Sequence, residues 1–221
     1  TFAPVIFLFS TENGLSMTQI LLLQSIYAIF TVILEIPTGT IGDYFGRKLS
    51  VSLGTFIFAF GIGIYSFGNS FTFFLVAELI CALGGALISG SDMALIHSTL
   101  KSLKRDKEYK KIEGTTNSIR LTGMMLASLA GGLIGNFSLR LTLLVAGFMV
   151  FIAFLVSLTF KEPKLIVEKD KKESFNEIIV SSIKLIKNHN LLLWLIIFSS
   201  FMIGLGQIIH WYYQPYFLLV N

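Results

Sequence analysis

Residues 35–48 read Glu35-Ile36-Pro37-Thr38-Gly39-Thr40-Ile41-Gly42-Asp43-Tyr44-Phe45-Gly46-Arg47-Lys48 and run from the end of one apolar stretch, 16–38, to the start of the next, 49–68. Each stretch is close to the roughly 20 residues that an α-helix needs to cross bilayer hydrocarbon. A short segment rich in glycine, carrying Arg47 and Lys48 between two such stretches, has the pattern of a loop joining two membrane spans.

The same reading extends in both directions. Residues 2–10 form a stub of roughly 13 Å as a helix, too short to cross. Further spans are expected at 71–98, 114–136, 139–160 and 191–218, which makes seven with the stub. The turns 11–15, 68–70 and 136–138 are brief, whereas the connections 99–113 and 161–190 are longer and charged. Composition agrees: 54% of the 221 residues are hydrophobic, 14% are charged and the mean hydropathy is +0.76. Soluble domains carry about 25% charged residues. The chain starts at Thr1 inside an apolar stretch, with no charged leader or cleavage site, and is expected to lack its natural beginning. Cys81 is the single cysteine and lies in an apolar run, so it reads as a small buried hydrophobe.

The net charge of +4 points to nucleic acid only while the positions of the charges are ignored. Arg47 and Lys48 lie in the second loop, six Lys and Arg in 101–111, and seven in 161–187. The three alternate loops hold only Arg140. This positive-inside pattern places loops 2–3, 4–5 and 6–7 in the cytoplasm and leaves no nucleic-acid partner to explain. Within the last loop, Ser174 and Glu177 form a capping-box pattern. Phe175, Ile178, Ile179, Ser182, Ile183 and Ile186 follow at helical spacing. A short amphipathic helix at the membrane surface is expected there, after a linker at 161–173.

Polar residues inside spans mark those that face protein or water, because a charge in hydrocarbon costs about 3 kcal/mol or more. The second span carries Gln24 and Glu35. The fourth carries Glu78, Asp92 and His97, the fifth Asn117 and Arg120, and the seventh Gln207, His210 and Gln214. The third and sixth are rich in Phe and uncharged in their cores, so they are expected to face lipid or to be purely structural. Together these give a central polar cavity, with Gln24, Asn117, Gln207 and His210 as lining candidates. Gly123, Ala127, Gly131 and Gly135 recur every four residues on the fifth span, a stripe that admits a close partner helix.

The stretch Gly39-x-x-x-Asp43-x-x-Gly46-Arg47-Lys48 resembles the loop 2–3 signature of the major facilitator superfamily (MFS), in the loop and on the side where that family has it. The family form has Arg after the Asp, where this chain has Tyr44. Residues 89–100 resemble the end of the family's fourth helix. In the fifth, the antiporter pattern Gly-Pro-x-x-Gly-Gly is replaced by Ala127-Ser128-Leu129-Ala130-Gly131-Gly132. The resemblance implies an all-α, polytopic transmembrane helix bundle with the MFS general-transporter fold, covering the end of helix 1 to helix 7.

On that reading 1–160 is the N-terminal six-helix half, 161–190 the cytoplasmic linker and 191–221 the start of the second half. The rest of that C-terminal half is a partner the chain lacks. The protein is expected in the bacterial cytoplasmic membrane, working as a secondary transporter of small molecules by alternating access, with proton-coupled efflux as one form. The resemblance makes Gly39, Asp43, Gly46, Arg47 and Lys48 a conformational latch. Glu35, Glu78, Asp92 and Arg120 are candidates for coupling or ion pairing, and Asp92 is expected to pair with Arg120 or Arg47. A carboxyl withdrawn from water can exchange its proton nearer neutrality, which favours Glu78 and Glu35. No cofactor or metal is implied, and His97, His189 and His210 lack ligand spacing. Nor does any catalytic set or phosphate loop appear, so an enzyme is not expected. The alternative is a transporter-like membrane sensor or a non-transporting partner subunit.

Overall fold

The computed structural model describes residues 3–163, together with 191, 193–195, 197–198, 201–202 and 204–206. The chain divides into two compact units, Thr1–Leu165 and Ile166–Asn221. The expected amphipathic helix over 174–187 lies outside the described residues.

The first unit is a succession of helices: α1 (Ala3–Glu12), α2 (Met17–Phe45), α3 (Arg47–Ser66), α4 (Phe71–Ser89), α5 (Asp92–Ser102), α6 (Tyr109–Gly135) and α7 (Leu139–Leu158). A single 3-10 turn, Asp106–Glu108, precedes α6. Five segments of the described residues are long and apolar enough to cross a membrane, α4 and α5 counting as one of them. No strand occurs among the described residues.

Local signals explain the boundaries. Ser16 starts α2 through a reciprocal capping box: Gln19 N–H donates to Ser16 Oγ at 3.3 Å, and Ser16 N–H donates to Gln19 Oε1 at 2.9 Å. Helix α2 does not stop near residue 38 as expected. It continues through Pro37 to Phe45, so most of the presumed loop is helical and the turn contracts to Gly46. Gly46 has φ +105°, a conformation that L side chains rarely adopt, and both caps α2 and begins α3. The expected fourth span, 71–98, is two helices: the chain breaks at Gly90–Ser91 and restarts at Asp92.

Packing can be read from register. Gln24 meets Glu78, and eleven residues further along both helices Glu35 meets Ser89, so α2 and α4 run parallel. Helix α3 runs antiparallel to both its main neighbours. It meets α4 at Gly54–Gly84 and Gly61–Cys81, and it meets α7 at Ser52–Ser157, Phe56–Phe154 and Ile62–Gly147. Small residues set these crossings. A Cβ on Gly84 would lie 2.6 Å from Phe58 N, and one on Gly61 would lie 2.6 Å from Cys81 Sγ. Close backbone approach of this kind is how helices gain van der Waals contact in lipid, where the hydrophobic drive between helices is absent.

Of the two readings of the third span, facing lipid or purely structural, the packing of α3 gives the second. Helix α3 is the centre of the unit, burying Ser50, Val51, Ser52, Gly54, Ala59, Gly61, Ile62, Tyr65 and Ser66. Its lack of charge reflects burial among helices as much as contact with lipid. Conversely α6, expected to carry a tightly packed stripe, has no buried residue. Gly123 and Gly132 face open space, and only Gly131 and Gly135 approach α7, through Thr142 and Leu139. Exposed Ile29, Val32 and Ile33 on α2, and Phe148 and Met149 on α7, form the apolar exterior that a bilayer accommodates.

In the second unit the described residues between 191 and 206 are helical, and Trp194 stacks on Phe198 with ring centroids 5.2 Å apart.

Candidate functional site

A polar seam follows the parallel contact of α2 and α4. At one level Gln24 Nε2 donates to Glu78 Oε1 at 2.6 Å. Glu78 is 5% exposed, the only buried carboxylate among the described residues. Tyr27 and Cys81 lie close enough to interact electrostatically with it. About 16 Å further along the helices, Ser89 Oγ donates to Glu35 Oε1 at 2.9 Å, and this pair is exposed. At the Glu35–Ser89 level the buried Thr38 hydroxyl donates to the Leu34 carbonyl at 2.7 Å, and the Ala86 carbonyl of α4 lies 3.1 Å from it.

The seam ends at the turn between α2 and α3. Arg47 Nη1 donates to the Ala94 carbonyl in α5 at 2.7 Å. Ser50 Oγ donates to the Leu87 carbonyl at 2.9 Å. A Cβ on Gly42 would lie 2.7 Å from Ser91 Oγ, so the close approach of α2 to the α4–α5 break occurs there. Gly39 has open space on its Cβ side among the described residues. Asp43 lies in the last turn of α2, and its side chain is outside the described part.

The structure brings together some of the expected residues and separates others. Gln24 and Glu78 form one pair, and Arg47 reaches the α5 backbone two residues beyond Asp92. Asp92 and Arg120 do not meet. The Asp92 carboxylate accepts from Met93 N–H at the start of α5, and Arg120 Nη2 donates to Asn117 Oδ1 at 2.8 Å on exposed α6. Equal depth in two helices does not make them neighbours: α6 packs beside α7 and the end of α5, not along α4. Gln207 and His210 lie outside the described residues.

Three features escaped the sequence. Glu162, just past α7, accepts hydrogen bonds from Arg47 N–H at 3.0 Å and Lys48 N–H at 2.7 Å. Its only sequence signal is a carboxylate beside Pro163 at the end of a span. Ser10 and Tyr65 share a buried hydrogen bond of 2.9 Å next to Phe74, and Ser52 and Ser157 share another of 2.9 Å between α3 and α7. Serine inside an apolar run is too common to single out.

Among the described residues no group of three or more His, Cys, Asp or Glu could hold a metal. The arrangement is a helix bundle with a buried carboxylate on one seam and a cationic turn at its end. The family model for the Major Facilitator Superfamily matches residues 1–220. The chain is 24% identical over 219 residues to the uncharacterised MFS-type transporter YxaM of Bacillus subtilis, covering 97% of this chain and 54% of YxaM. It is also 24% identical over 162 residues to the quinolone resistance protein NorA of Staphylococcus aureus, covering 73% of this chain and 41% of NorA. It thus spans about half the length of these relatives. Continuous helices with a glycine turn before Arg47 and Lys48, and a family match over nearly every residue, lead to one assignment: the chain belongs to the Major Facilitator Superfamily.

Proposed function

We propose that the whole protein is a secondary transporter that moves small organic molecules out of the cell by alternating access, driven by protons, with Glu78 as a coupling carboxyl. The carrying observation is the buried Glu78–Gln24 pair between two parallel helices. Its partner is a neutral donor, so the carboxyl can take up or lose a proton without breaking an ion pair. Binding between the two halves, near the bilayer midplane, is the site geometry common to transporters built from repeats. Similarity to a protein named for quinolone resistance makes a quinolone the first probe to use.

In this reading Gly39, Asp43, Gly46, Arg47 and Lys48 form the latch on the cytoplasmic side, and loops 2–3, 4–5 and 6–7 face the cytoplasm. Glu35, exposed at the cytoplasmic end of the seam, is a secondary coupling candidate. Asn117 and Arg120, exposed on α6, and Gln24 are available to the cavity, with Gln207 and His210 on the seventh span.

The test is quinolone-driven proton flux in proteoliposomes of the full-length parent, with and without Glu78→Gln. Glutamine keeps an oxygen for Gln24 and removes the titratable proton. Loss of flux with intact folding is expected. Unchanged flux in the variant would make Glu78 a structural residue.

A further inference from the structure

Helix α3 starts without a cap of its own. Its N-cap residue is Gly46, which has no side chain to offer, and its first two residues are cations. Both features are unfavourable: the first N–H groups of a helix have no intrahelical acceptor, and positive charge opposes the dipole at that end. The missing acceptor comes from 115 residues away. The two carboxylate oxygens of Glu162 divide the work, Oε1 taking Arg47 N–H at 3.0 Å and Oε2 taking Lys48 N–H at 2.7 Å. Gly46 makes room for this. A Cβ there would lie 3.3 Å from Glu162 Cδ and Oε2, in addition to its strained φ of +105°.

We propose that Glu162 is a positioning residue for the 39–48 motif: it caps α3 from outside and binds the α2–α3 turn to the end of α7, so that Arg47 is held against Ala94. Several observations converge on one carboxylate. The bonds are bidentate, and they supply acceptors that no side chain at the start of α3 supplies. The turn carrying the motif and the chain just past α7 are therefore joined through Glu162. This holds for any substrate and any coupling ion, because it concerns how Arg47 is aimed.

The experiment uses the full-length protein in nanodiscs, as wild type, Glu162→Ala and Glu162→Gln. Amide hydrogen exchange is read at Arg47 and Lys48, and phenylglyoxal modification is quantified at each arginine by mass spectrometry. In Glu162→Ala, exchange at the two amides is expected to rise at least about tenfold, the size of effect that loss of a charged cap produces. Modification of Arg47 is expected to rise several-fold, while Arg105 and Arg140 stay unchanged. Glu162→Gln, with one neutral acceptor oxygen, is expected to fall between. Unchanged amides would overturn the cap. Faster amides with an unchanged Arg47 would overturn the positioning role. A uniform rise at all arginines and throughout the helices would reduce Glu162 to a support of the whole fold and overturn the proposal as well.

Discussion

Replacing Gly84 by alanine adds one methyl group at the closest backbone contact between α3 and α4. The new Cβ would lie 2.6 Å from Phe58 N, 2.8 Å from the Gly54 carbonyl oxygen and 2.9 Å from Phe58 Cα. All three are main-chain atoms, so no rotamer change relieves the contact. Ordinary van der Waals contact starts near 3.4 Å, and the helices must part by about 0.8 Å at this level, losing dispersion contact above and below it. Overpacking of this kind costs about 1–3 kcal/mol, and rigid partners put it at the upper end. Gly63→Ala in α3 is the control. Nothing lies within 4 Å of its Cβ position, so the substitution is expected to stabilise the helix by about 0.5–1 kcal/mol. Reversible unfolding of the full-length protein in mixed micelles reads both values. Gly54→Ala presses on the Gly84 carbonyl from the other side at 2.8 Å. Once one methyl has separated the helices the second costs less, so the double variant should fall short of additivity by about 1 kcal/mol. A Gly84→Ala protein within about 0.5 kcal/mol of wild type, the range of ordinary surface changes, would refute the claim that this crossing is held by backbone contact.

Lys104 has φ +57° at the end of α5, where Arg105 N–H bonds the Leu100 carbonyl and Lys104 N–H bonds the Lys101 carbonyl. This is the Schellman pattern that favours glycine. Lys104→Gly is expected to raise stability by about 0.5–1 kcal/mol in the same unfolding assay, relief of the left-handed strain exceeding the entropy that glycine loses. In the Ser52–Ser157 pair, Ser157 also bonds the Phe154 carbonyl at 2.6 Å. Ser52→Ala therefore leaves Ser157 satisfied, whereas Ser157→Ala leaves the buried Ser52 hydroxyl without its interhelical partner. Ser157→Ala is expected to cost about 1 kcal/mol, more than Ser52→Ala, and the double variant no more than Ser157→Ala alone. Equal single costs would mean that the hydroxyls bond elsewhere.

Sequence alone determined the membrane character, the all-helical fold and the family of this chain. Each rests on local or periodic properties: runs of about 20 apolar residues, cations gathered in alternate loops, and the spacing from Gly39 to Lys48. Membrane helices are legible in this way because each one satisfies its own backbone hydrogen bonds within its own segment. It also singled out Glu78 and Gln24 as polar residues in spans, without saying that they touch.

Tertiary structure decided which residues meet. It joined Gln24 to Glu78 at a shared register, decided that α3 is a packed central helix rather than one facing lipid, and left Asp92 and Arg120 on separate partners. It also carried Glu162 to the start of α3, which no local pattern announces. The physical reason is that helix pairing in a bilayer is driven by shape and by a few hydrogen bonds rather than by burial of apolar surface. A glycine that admits a neighbour and a glycine that faces open space, such as Gly84 and Gly63, are the same letter until the neighbouring helix is in place.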